Sequence, residues 1–384
     1  MFSLSPGARG PWRAISSFER IGRSLRYSST VSRAIIYSEY GNPRECVKVF
    51  EHKLEAPTGS QAIIRLLAAP INPSDINQIE GVYPSRPELS TKIGTTQPSA
   101  VGGNEGVFEV VSVGNGVSSL KVGDWVLPGA LNFGTWRTHI SVDESQVYKL
   151  RSSEGLTPLQ AATVSVNPTT AHQMLTEFVN LQKGDWFIQN GATSGVGRAA
   201  IQLGRIWGLN SISVIRDRAE PDLAKIKDDL YSLGATHVVT DSELNDKSIK
   251  KQIDEWTGGA SIQLGFNCVG GKSATNVARQ LGHSGQLITY GGMSKQPLTF
   301  PTSLFIFKNF ISRGYWLSEW SKKNPQGKFA VVEKLLDLYR AGELTDVPVT
   351  KNTWRESSSN SEIEETFKTA IDNSKTGKQL IELV

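Results

Sequence analysis

Cysteine is nearly missing from this chain of 384 residues, with only Cys46 and Cys268. Two thiols so far apart in sequence make no disulfide framework, and their neighbourhoods offer no metal-binding pattern, so a reducing compartment fits. The five histidines (His52, His139, His172, His237, His283) are scattered without ligand-like spacing, and a metal site is not expected. No apolar run is long enough to span a bilayer, which excludes a transmembrane segment. There are no internal repeats and no long low-complexity linker. Acid is scarce in one place: residues 1–30 hold five arginines (Arg9, Arg13, Arg20, Arg23, Arg26), many serines and a single acid, Glu19.

Trp12, Ile15, Phe18 and Leu25 fall near one face if Pro11 to Arg26 coils as a helix. An amphipathic leader rich in Arg and Ser and poor in acid is the composition of a mitochondrial transit peptide. The mature chain is therefore expected to begin near Ser28 to Ser32 and to reside in the mitochondrial matrix. Without the leader, the whole-chain charge of +4 becomes zero, with 36 basic and 36 acidic residues remaining. The mature protein then has no broad basic surface for nucleic acid.

The length favours two domains. From Ser32 to about Leu150, short β-rich stretches are broken by Gly and Pro, among them Arg33 to Tyr37, Ala62 to Leu67, Gly106 to Gly114 and Lys121 to Pro128. That texture predicts a mostly antiparallel β-domain. From about Pro158, helices and strands alternate: a helix over Ala161 to Phe178, then Trp186 to Gln189, Ser211 to Ile215, Thr236 to Val239, Ile262 to Val269 and Gly285 to Gly292 as strands. Alternation of this kind predicts an α/β fold with a doubly wound parallel sheet. A helix is expected over Phe329 to Ala341. The closing strand, Gln379 to Val384, is expected to pair back into the first domain.

The most informative stretch runs from Trp186 to Leu203: a buried strand, a turn with Gly191, Gly195 and Gly197, and a helix opening on small residues. Glycines let the backbone approach phosphate oxygens, and the helix start offers free N–H groups and partial positive charge. The next strand ends in Arg216-Asp217-Arg218, where an adenosine ribose would be read. Two guanidinium groups suit a 2′-phosphate, so NADPH is expected over NADH. Asp217 is expected to be neutralised between the arginines.

The chain resembles the zinc-free branch of the medium-chain dehydrogenase/reductase superfamily, quinone oxidoreductase-like, and within it the mitochondrial 2-enoyl thioester reductases. The likeness is carried by Ala69 to Asn77, by Gly102-Gly103-Asn104-Glu105-Gly106 and by Val122 to Val126. Asn72 and Asn104 stand where zinc-dependent members have ligands, and the four-cysteine lobe is missing. The resemblance implies a GroES-like catalytic domain over residues 31–165 and 321–384, and an NADPH-binding Rossmann domain over 166–320. It implies a catalytic Tyr83, in Asn77 to Pro84. It also implies NADPH contacts at Asn167; at Thr193, Ser194, Gly195 and Val196; and at Arg216, Asp217 and Arg218. Further contacts are implied at Tyr290, Gly291, Gly292 and Met293, at Tyr315, Trp316 and Leu317, and at Lys378.

The implied reaction delivers a hydride to C3 and a proton to C2 of a trans-2-enoyl thioester, carried on coenzyme A or acyl carrier protein. The conjugated carbonyl is the electron sink, so no metal is needed, and hydrogen-bond donors must meet the charge that builds on its oxygen. A phenol carries its hydrogen-bond donor at the end of a rigid ring, which is what the resemblance asks of Tyr83. Trp316 is expected to wall the acyl pocket. Phe300, Leu304, Phe305, Ile306 and Phe307 are expected mostly in the core or at a dimer surface, with lining of an acyl tunnel as the alternative for part of them. A homodimer through the edge near Phe310 to Gly314 is expected. Two other readings share these residues: a zinc-free quinone or enone reductase, and a non-catalytic NADPH-binding protein.

Overall fold

A computed structural model describes residues 30–384; the leader expected over residues 1–30 lies outside them save for Thr30. The first part of the chain contributes β1 (Thr30–Tyr37), β2 (Lys48–Leu54), β3 (Gln61–Ile71), β4 (Ala100–Val101), β5 (Val107–Val113), β6 (Trp125–Pro128), β7 (His139–Asp143) and β8 (Val147–Lys149). The middle contributes β9 (Trp186–Gln189), β10 (Asn210–Ile215), β11 (His237–Thr240), β12 (Leu264–Asn267), β13 (Gln286–Thr289) and β14 (Ile311–Gly314). The end of the chain adds β15 (Thr350–Trp354) and β16 (Gln379–Leu383).

β9 to β14 form one parallel sheet in the order β11-β10-β9-β12-β13-β14. The order reverses between β9 and β12, and in such sheets a crevice opens there, beyond the carboxyl ends of the strands. Helices cover both faces, which is why β9 and β12 are buried along their whole length. The second large sheet has the order β15-β16-β3-β5-β6-β8, with β7 also on β3, and its pairings are antiparallel except β15 on β16. β16 does return to the first half of the chain, with Gln379 opposite Ile71 and Glu382 opposite Ala68. A small sheet, β2-β1-β4, flanks it.

The two large sheets share a core. Ala68 and Val107 pack in one cluster with Phe187 and Val196 of the nucleotide half and with Val332 and Leu335 of the helix Pro325–Arg340. The helix expected over Ala161 to Phe178 is in fact two, Pro158–Thr163 and Asn167–Thr176. Pro168 has no N–H to give and disfavours helical backbone at the residue before it, so a new helix starts there. The break matters because it places Asn167 at a helix start facing the crevice.

Candidate active site

The turn after β9 is tight for identifiable reasons. Gly191 has φ +61°, a left-handed backbone that suits glycine. A Cβ at Gly197 would come within 2.7 Å of the carbonyl oxygens of Gly191 and Ala192, so only glycine fits. Ser194 caps the helix Gly195–Ile206, its hydroxyl accepting the Gly197 N–H at 3.1 Å. Thr193 is exposed, and Val196 is buried beneath the turn. A Cβ at Gly195 would overlap the side-chain oxygen of Asn167, so Asn167 packs directly against the glycine turn. This cradle of glycine backbone at the start of a twelve-residue helix fits a dinucleotide pyrophosphate.

The other expected cofactor contacts follow the carboxyl ends of neighbouring strands. Arg216 and Arg218 come directly after β10, exposed and half-buried respectively, and no ion pair among the described residues engages either one. Asp217 departs from expectation, since it is not neutralised by them. Burial would raise its carboxyl, but hydrogen bonding to the Thr240 and Ser242 side chains prevails and holds it below the usual range. Tyr290 to Met293 follow β13, stitched down by Tyr290 N–H to the Asn267 carbonyl (3.0 Å) and Met293 N–H to the Cys268 carbonyl (2.8 Å). Gly292 has open space where a Cβ would stand. Burial pushes the Tyr290 phenol well up, with the Cys268 thiol adding to the shift. Tyr315 to Leu317 follow β14, with Tyr315 N–H on the Thr289 carbonyl at 2.9 Å.

Tyr83 sits on the loop after the helix Pro73–Ile79, on the other side of the crevice. Its N–H bonds the Asn77 carbonyl (3.1 Å), and Gly81 turns the chain at φ +78° against Tyr40. Gln78 pins the loop from beneath, its amide donating to the Ser85 carbonyl and to Asn132 Oδ1, both at 2.8 Å. The Trp316 indole N–H donates to the Tyr83 hydroxyl oxygen at 2.9 Å, with the rings edge to face at 85°. Indole is a donor only, so the tyrosine oxygen must accept, and its own O–H stays free to donate elsewhere. Two residues 233 positions apart thus join across the crevice.

Below them lies a buried polar cluster to which the sequence reading gave no role, apart from Lys378 and Asn167. Glu105 accepts from Asn72 Nδ2 and from the Val166 N–H, both at 2.8 Å. The Lys378 ammonium donates to Asn72 Oδ1 and to Asn167 Oδ1, the latter at 3.4 Å. Asp75 accepts the Asn72 N–H and an Asn104 amide hydrogen, each at 2.7 Å. Burial raises the Asp75 carboxyl to about 6 against these bonds, and raises Glu105 against the pull of Lys378 and its own donors. Asn72 and Asn104 spend their amides on these bonds with an ammonium group between the carboxylates. That donor set, without thiolate or imidazole, does not fit a zinc ion.

Residues 58–152 match the alcohol dehydrogenase GroES-like domain family, and residues 195–335 match the zinc-binding dehydrogenase family. Fold and matches define the class, a medium-chain dehydrogenase/reductase. The mitochondrial enoyl-(acyl-carrier-protein) reductase of Yarrowia lipolytica is 48% identical over 97% of this chain and 97% of its own. The structure of the Etr1p/NADP/crotonyl-CoA complex has a TM-score of 0.88 at 44% identity, covering 92% of this chain and 100% of that one. The mitochondrial 2-enoyl thioester reductase Etr1p/Etr2p heterodimer from Candida tropicalis gives 0.86 at 45%, with the same coverage. The chain belongs to the family of mitochondrial enoyl-(acyl-carrier-protein) reductases.

Proposed function

We propose that this protein is a mitochondrial enzyme that reduces trans-2-enoyl thioesters to saturated acyl thioesters with NADPH, in mitochondrial fatty acid synthesis. The observation that carries the site assignment is the hydrogen bond from Trp316 to Tyr83, which leaves a phenol donor poised over the crevice of a nucleotide sheet. NADPH, when bound, supplies the hydride for C3. Tyr83 donates its O–H toward C2 or toward the thioester oxygen, the two places where the reaction needs a proton or a donor. Trp316 holds the phenol at that angle and walls the acyl group.

In this reading the turn Thr193 to Val196 cradles the pyrophosphate, and Arg216 with Arg218 takes the 2′-phosphate, Asp217 being turned to Thr240 and Ser242. Asn167, Lys378, Tyr290 to Met293 and Tyr315 to Leu317 surround the nicotinamide half. Residues 31–165 with 321–384 form the catalytic part, and residues 166–320 the NADPH-binding part. Acyl carrier protein carries the substrate, as the names of the relatives support. The protein works as a homodimer.

The test is NADPH oxidation by the protein with trans-2-enoyl thioesters of graded length, on coenzyme A and on acyl carrier protein, beside a panel of quinones. Consumption of enoyl thioester is expected. Turnover of quinones alone would replace this reading with that of a quinone reductase.

A further inference from the structure

Glu105 lies between β4 and β5, 1% exposed, with both carboxylate oxygens engaged inward. Oε1 accepts the Val166 N–H at 2.8 Å and the Ser165 hydroxyl at 3.2 Å. Oε2 accepts Asn72 Nδ2 at 2.8 Å. Two routes lead from this carboxylate to the crevice. One passes through Val166 into the helix whose first residue is Asn167. The other passes through Asn72 to the Lys378 ammonium, which also reaches Asn167, and Asn167 lies flat against Gly195 at the start of the pyrophosphate helix.

We propose that Glu105 is a positioning residue for the cofactor: it caps the helix Asn167–Thr176, fixes the orientation of the Asn72 amide, and so holds Lys378 and Asn167 against the nicotinamide half of the site. The inference rests on the reading of Asn167 and Lys378 as cofactor contacts. A carboxylate can only accept, so Asn72 must turn its NH₂ to Glu105 and its oxygen to Lys378. An amide at position 105 removes that constraint and also removes a counter-charge. The charged groups around Lys378 are Glu105 from the β4–β5 connection and Asp75 from the helix Pro73–Ile79, while Lys328 of the helix Pro325–Arg340 faces Glu105. Burial pushes the Lys378 ammonium below its usual range, and Glu105, then Asp75, pull it back. Without the Glu105 charge it falls further, so the cation is lost at lower pH.

The experiment measures the NADPH dissociation constant by fluorescence titration from neutral to alkaline pH, together with kcat and KM, for the wild type and Glu105→Gln. The expected outcome is affinity weakened roughly tenfold to a hundredfold at neutral pH, the scale of one hydrogen bond to a charged group. The alkaline loss of affinity should move to lower pH, and KM for NADPH should rise more than kcat falls. Adding Asn72→Asp to Glu105→Gln returns a carboxylate beside Lys378 and should restore the alkaline limb. Where Glu105→Gln does not fold, Asn72→Leu cuts the same link and should weaken NADPH alike. A folded variant with a lowered Tm but unchanged affinity and pH limb overturns the proposal. A wild type that fails to bind NADPH overturns instead the functional reading beneath it.

Discussion

At the scale of single residues, the Tyr83 hydroxyl is the group most open to a clean test. Tyr83→Phe keeps the ring against Trp316 and removes both the donor and the acceptor of the indole N–H. Turnover of an enoyl thioester should fall by about 10²–10⁴-fold, the usual weight of a positioned proton donor, with NADPH affinity and Tm unchanged. Near-normal turnover would move the proton source to water. In the proposed reading, Arg216 and Arg218 would carry the cofactor choice. Replacing both with alanine should weaken NADPH at least tenfold while leaving NADH nearly as before, since each charge-assisted bond contributes on the order of 1.5–3 kcal/mol. Equal loss for both cofactors would make the arginines structural. The place of the pair after a strand was legible, whereas the surroundings of Asp217 were not. The Thr240 and Ser242 side chains that act on it belong to the next strand and the short helix Asp241–Asn245 beyond it, and nothing in Arg216-Asp217-Arg218 points that far. Glu105 was hidden for the same reason: its partners stand at positions 72, 165 and 166, and only the fold brings them together.

At the scale of elements, strands were legible because burial on both faces leaves short apolar runs between turn residues, as in Trp186 to Gln189. The break before Asn167 had a signal, the Asn167-Pro168 pair, which the long apolar run overshadowed. The glycines of the site divide by what surrounds them. Gly197→Ala forces a Cβ onto backbone oxygens that cannot step aside, and should destabilise the protein by about 1–3 kcal/mol in a denaturant titration. Gly292→Ala meets nothing in the protein, so its stability should match the wild type, while NADPH affinity should drop if, as proposed, the cofactor fills that open space. Unchanged affinity in Gly292→Ala would move the cofactor away from the Tyr290 to Met293 turn. The helix Pro73–Ile79 carries a further signature in Asp75. Its carboxyl is raised from 3.8 to about 6, so the protonated form favours folding: its contribution is fully present below about pH 4 and is lost as pH rises to 6. Stability of the wild type relative to Asp75→Asn should therefore fall by up to ~3 kcal/mol across that window, and a flat difference would contradict the burial argument.

At the scale of the whole molecule, the C-terminal return of β16 onto β3 was legible from a strand-like chain end with apolar Leu380, Ile381 and Leu383, but the open edge of the nucleotide sheet is the more consequential feature. β14 pairs only with β13, so among the described residues its outer backbone has no neighbouring strand. The helix just before it, Thr302–Lys308, buries Leu304 yet leaves Phe305, Ile306 and Phe307 exposed at 47%, 67% and 76%. The sequence reading placed these apolar residues mostly in the core or at a dimer surface, with an acyl tunnel as the alternative for part of them, and their exposure sets the core aside. A bare strand edge beside three exposed large apolar side chains is an aggregation hazard unless something covers it. In the proposed homodimer, a second copy related by a two-fold axis would cover both at once, edge to edge and helix to helix, and would close the assembly at two. Light scattering at micromolar concentration should give twice the chain mass. Ile306→Asp with Phe307→Asp should shift the protein to monomer at the same concentration, because burying two carboxylates at such a contact is strongly unfavourable. Each monomer keeps its own Tyr83 and Trp316, so the site within one chain stays intact, and turnover per chain should survive dissociation in part. A wild type that elutes and scatters as a monomer would mean that the exposed helix serves another partner.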